Sequence, residues 1–148
     1  ALLEAGAEKA QCSLKKSEKH ELNVSSGEIS LFRTTFDNDL SLMGILENKK
    51  GSLLINKLDE NSIRKAAKQV IELAKSSQPD SANDISEKQP PKKFHSGPEK
   101  PNLDLMYQRL SEFMKYTKET YPHTIIEEIN FDFIRYRNIL VNSNEVEF

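Results

Sequence analysis

Little in this sequence is suited to chemistry. Of 148 residues one is cysteine, none is tryptophan, three are histidine and five are glycine. The single thiol, Cys12, excludes an internal disulfide and reads as a buried reduced side chain, not a nucleophile. Five scattered glycines build no phosphate-cradling loop, dinucleotide fingerprint or nucleophile elbow. No apolar run approaches the roughly 18 residues that cross a bilayer, and residues 1–6 lack the basic and apolar regions of a secretion signal. A cytoplasmic chain with no membrane partner is expected. Charge of one sign is missing too: 21 basic residues face 23 acidic ones, for a net −2. Without a general positive field, direct nucleic-acid binding by counterion release is not expected.

What is present is a folded core. At 36% hydrophobic and 30% charged the chain has the composition of one ordinary globular domain. Ala10, Cys12 and Leu14 alternate with polar residues, as do His20, Leu22 and Val24, so two strands with one wet face are predicted. Ser25-Ser26-Gly27-Glu28 supplies turn chemistry into a strand over 29–36. Asp37-Asn38-Asp39 reads as the next turn. Residues 40–46 are apolar on both parities, the mark of a strand covered on both faces. The segment 47–51 closes a further hairpin into a strand over 52–56.

A helix follows with a well-marked start. Asp59 can accept from the unpaired first-turn amides, Leu58 can staple onto Ile63, and Ile63, Ala66, Ala67, Val70 and Ala74 form one stripe. Its small residues imply close approach to a sheet. Ser76-Ser77-Gln78-Pro79 ends it. Residues 77–101 hold five of the six prolines and read as an extended connection, with Ile85 and Phe94 available to dock. Asn102 caps a second helix whose stripe is Leu103, Met106, Tyr107, Leu110, Phe113, Met114 and Thr117, stopped by Tyr121-Pro122. A strand over 125–136, a tight turn at Arg137-Asn138 and a strand over 139–142 complete the pattern. Both ends look cut: Leu2 to Gly6 resembles the last turn of a helix closed by a glycine, and residues 145–148 resume alternation where the sequence stops.

Candidate chemical groups are weak. His20-Glu21 lacks the second histidine of a zinc helix and lies on a strand, and His95 and His123 have no Cys or His at ligand spacing. The pairs Asp37/Asp39, Glu127/Glu128 and Asp132/Glu145 fall at turns or wet faces, where carboxylates are solvated. Lys49-Lys50 and Lys92-Lys93 are too short for a phosphate track. Arg135-Tyr136-Arg137 reads as a strand end with ordinary cross-strand pairs.

The order of turn motifs carries a resemblance. Gly6-Ala7-Glu8-Lys9-Ala10, Val24-Ser25-Ser26-Gly27-Glu28-Ile29-Ser30, Asn48-Lys49-Lys50-Gly51-Ser52, Leu58-Asp59 opening a helix to Ala74-Lys75 and then Pro79-Asp80 resemble the N-terminal domain of the TldD/PmbA family. Val141-Asn142-Ser143-Asn144 looks like that family's asparagine-serine segment, with Glu145 where the family has glycine. The entry Asn102-Leu103-Asp104-Leu105 looks more like the PmbA side. The resemblance implies two-domain cytoplasmic proteins, some catalytic, that pair into peptidase assemblies and carry an older label as modulators of DNA gyrase. In catalytic members a HExxxH helix and a downstream cysteine hold the metal in the C-terminal domain. No such residue occurs here, so no catalytic, metal or cofactor-binding residue is assigned, and zinc is expected only in a C-terminal domain beyond this chain.

The expectation is therefore one N-terminal α+β domain: strands then helix over 1–76, the connection 77–101, and helix then strands over 102–148. A curved, mainly antiparallel sheet, a meander plus a C-terminal hairpin, packs against two helices. By the resemblance it shapes the access of an unfolded peptide to a metal site elsewhere and pairs with a family member as a homo- or hetero-oligomer, without being an enzyme itself. The alternative, from a different class, is a stand-alone module that captures a partner strand at a sheet edge. The gyrase label raises a third, nucleic-acid-associated reading, which the charge balance opposes.

Overall fold

The computed structural model describes all residues, Ala1–Phe148. In chain order the elements are β1 (Lys9–Ser25), β2 (Glu28–Leu46), β3 (Lys49–Ile55), α1 (Glu60–Ser76), α2 (Leu103–Thr120) and β4 (Glu128–Asn142). The strands form one open antiparallel sheet in the order β3-β2-β1-β4, so the fold is α+β with two helices. The chain divides into two packed units, residues 1–16, 37–95 and 137–148 in the first and 17–36 and 96–136 in the second.

The first unit is built on close approach. β2 and β3 pair antiparallel from Leu40↔Ile55 to Leu46↔Lys49. The reversal takes only Glu47 and Asn48, both left-handed with φ 52° and 60°, a twist that suits a two-residue hairpin. Gly51 thus lies inside β3 and not in the turn where the sequence placed it. A Cβ there would stand 2.0 Å from the Val70 carbonyl oxygen of α1, so only glycine lets strand and helix meet. The helix answers with the small-residue stripe: Ala66, Ala67, Val70, Ile71 and Ala74 are buried, and Ile63 packs beside them. Asp59 Oδ1 accepts from the Ser62 amide at 2.9 Å and caps the helix as its spacing implied. Leu58, expected to staple, stays exposed. Residues 2–7 form a Schellman turn in which Gly6 donates to the Leu3 carbonyl and Ala7 to that of Leu2, with Gly6 at φ 111°.

Two expected turns are absent. Asp37-Asn38-Asp39 lies within the continuous β2, and Arg137-Asn138 lies within β4. The hairpin expected between 125–136 and 139–142 is therefore absent, both arms being one strand, and the chain reverses instead at Ser143 to Glu145. Leu140 and Phe148 exchange both backbone hydrogen bonds at 2.9 Å, and Val141 bridges Glu147. Asn142 Oδ1 holds this turn by accepting from the amides of Asn144 and Val146, while Ser143 bonds Ala10 of β1 in both directions. Glu145 adopts the left-handed conformation, φ 61°, that glycine would take without strain. The connection is strapped to the same region: Ile85 is buried, Asp80 and Asn83 donate to the Asn48 carbonyl, and Lys88 pairs with Glu145. Phe94, expected to dock, is 83% exposed.

The second unit has a thinner core. Leu22, Val24, Met106 and Leu110 are its buried residues, ringed by half-buried Ile29, Ile129, Phe131 and Phe133. Ser26 and Gly27, at φ 52° and 81°, make the two-residue turn that the sequence implied. Asn102 caps α2 by accepting from the Leu105 amide at 3.0 Å. The helix buries a narrower stripe than its pattern suggested, since Tyr107 and Phe113 remain about half exposed. Only residues close to the Met106–Leu110 line reach the three strands of this unit, and the flanking aromatics stay in solvent.

Candidate functional site

The sequence candidates do not converge. His20 and Glu21 are adjacent on β1, so their side chains point to opposite faces of the strand. His20 Nε2 meets Glu18 at 2.8 Å and its Nδ1 meets the Thr34 hydroxyl at 3.0 Å, with the Phe133 ring 6.3 Å away. Both ring nitrogens are engaged in a structural contact. Cys12 is half-buried against the first unit's core, and burial pushes its thiol pKa up, which disfavours the nucleophilic thiolate. Asp132 pairs with Lys19, and Glu145 with Lys88, so the two carboxylates have separate cationic partners. Arg135 approaches Glu18 at 4.0 Å. No three His, Cys, Asp or Glu side chains come together, and the donor set therefore does not fit a zinc site.

The strongest electrostatic feature is in the second unit. Glu21, with its side chain only 6% exposed, takes 2.7 Å and 2.8 Å contacts from Arg33 and Lys19, and Lys19 reaches Asp132 at 3.0 Å. Hydrogen bonds from Arg33 first, then Lys19, lower the Glu21 pKa to about 2. The carboxylate is thus fixed in its charged form, which suits ion pairing and not proton transfer. Asp132 Oδ1 and Asn23 Oδ1 are buried without a partner.

A groove runs along the first unit. One stretch of about 570 Å³ runs past Leu54, Lys57, Ser62 and Lys65; the next, about 580 Å³, past Leu53, Lys68, Glu72 and Leu73. They share Lys65 and Gln69, so together they follow α1 alongside β3. β3 is the end strand of the sheet, and its side away from β2 carries no strand. The sequence does not mark this place, because Lys65 and Lys68 on α1 meet Lys57 and the β3 edge only once strand and helix have packed. Its one early signal is an outward Leu54 on a strand that ends beside lysines.

The sequence matches no family model and no curated protein. The fold, an open antiparallel sheet with two helices, is similar to that of TldE from Thermococcus kodakarensis, at a TM-score of 0.77 and 19% identity over 99% of this chain and 34% of that one. It is also similar to a proposed modulator of DNA gyrase from Bacteroides thetaiotaomicron (0.67, 19%, 99% and 35%). A third likeness is to a proposed modulator of a DNA gyrase from Thermotoga maritima (0.64, 10%, 95% and 32%). The chain spans about a third of the length of each of these proteins. These neighbours are of the kind that the order of turn motifs resembles, and at such identities the likeness is one of fold.

Proposed function

We propose that this chain acts as the N-terminal scaffold of a TldD/PmbA-family protein in a cytoplasmic, metal-dependent peptidase system. In that role it shapes the route of an unfolded polypeptide to a metal site carried outside these residues and pairs with another family member. The observation that carries the reading is the fold likeness to TldE, which takes in nearly this whole chain and only a third of the longer one. The family motifs also fall at structural joints: Gly27 in a hairpin turn, Gly51 at the helix contact, Asp59 at a cap and Asn142-Ser143 in the last turn. Such residues serve the backbone and not a reaction. No side chain here would hold the metal or touch the scissile bond.

The test is recovery of the native assembly from its own cells through a tag on this chain. The reading expects a family member with HExxxH among the recovered subunits, and cleavage of an unfolded peptide that a chelator abolishes and zinc restores. Recovery of an assembly with no such member, or cleavage insensitive to chelator, counts against it.

A further inference from the structure

We propose that the free edge of β3 and the adjoining flank of α1 form a docking groove for an extended, acidic polypeptide segment of another protein, which adds as a strand beside β3. The proposal does not depend on the family reading. It begins with the backbone, because an end strand keeps half of its amides and carbonyls facing away from the sheet, a template for one more strand. Seven residues of β3 offer roughly 23 Å of edge at about 3.3 Å per residue, and the groove follows that edge with α1 as its far wall.

Charge selects the occupant. Lys57, Lys65 and Lys68 line the groove as exposed cations. Of the two acidic side chains on the same lining, Glu72 is engaged by Lys75 at 2.9 Å, which leaves Asp39 against three lysines. An acidic segment would neutralise this excess; a basic one would be repelled. Lysines alone also guard a sheet edge against aggregation. Guarding does not account for Leu54, 62% exposed on the face of β3 opposite the one that Gly51, Leu53 and Ile55 turn toward α1. In an added strand, carboxylates turned toward the α1 lysines would alternate with apolar side chains on the opposite face, where they cover Leu54.

The full chain is panned with a display library of random short peptides, and enriched peptides are titrated by fluorescence anisotropy and mapped by hydrogen exchange. The expected result is enrichment of acidic sequences with alternating apolar residues, protection of the β3 amides, and weaker binding in high salt. Lys65→Glu with Lys68→Glu, both on the exposed side of α1, should weaken binding by about tenfold or more. No enrichment, enrichment of neutral or basic peptides, binding indifferent to the double substitution, or protection mapped to another edge overturns the proposal. So does self-association of the chain through this edge in place of peptide binding. None of these outcomes bears on recovery of a family partner, so the two readings fail separately.

Discussion

Both units of this protein use the same sheet and one helix each, yet they are held by different physics. In the first, nine buried residues form the core cluster, four of them alanine, and Gly51 lets β3 touch the backbone of α1. In the second, four buried residues carry the core, and the middle strand bears Glu21 between Arg33 and Lys19. Close packing tolerates almost no added volume. A thin core completed by ion pairs tolerates substitution better but becomes sensitive to pH. The second unit also leaves Phe32, Tyr107, Phe113, Tyr116 and Ile134 in solvent, so more of its apolar surface remains outside its core.

The contrast breaks most readily at Gly51. Gly51→Ala would drive a methyl group into the Val70 carbonyl, and since backbone must move, a loss of about 3 kcal/mol is expected in denaturant unfolding. Leu110→Ala in the second unit should cost about 2 kcal/mol, the lower end for a buried leucine, because its neighbours are half-buried and can close in. An equal or larger loss at Leu110 would show that the second core is as tightly packed as the first.

A third contrast is the one that acid reveals. The Glu21 pKa is lowered in the folded protein from an ordinary 4.5 to about 2. A lowered pKa contributes stability that is complete above the unfolded value and is lost as the pH falls toward the folded one. The second unit should therefore weaken between about pH 4.5 and 2. Glu21→Gln should flatten that part of the stability profile. A profile unchanged by the substitution would mean that the Arg33 and Lys19 contacts contribute nothing to folding.

Legibility in the sequence did not follow that division, since the first unit holds both the best-read helix and most of the misread turns. α1 could be read from Asp59 and its alanine stripe because cap, period and small residues all agree. Asp37-Asn38-Asp39 and Arg137-Asn138 misled because turn propensity is local, whereas β2 and β4 are held through those residues by their neighbouring strands. Tyr107 and Phe113 have the right helical period for burial, but period alone does not say how wide a sheet the helix will meet. Glu145 occupies a glycine conformation that no propensity rule assigns to glutamate; Asn142, Ser143 and Lys88 fix it from outside. The groove was hidden for a related reason, since the β3 edge meets Lys65 and Lys68 only after β3 and α1 have docked.

We propose above that these residues are scaffold in a system whose chemistry lies outside them. A calorimetric zinc titration of the full chain, followed by incubation of the zinc-treated protein with an unfolded peptide, tests it most directly. The expected result is no stoichiometric zinc binding and no cleavage. A saturable one-to-one site, or peptide hydrolysis by this chain alone, would contradict it.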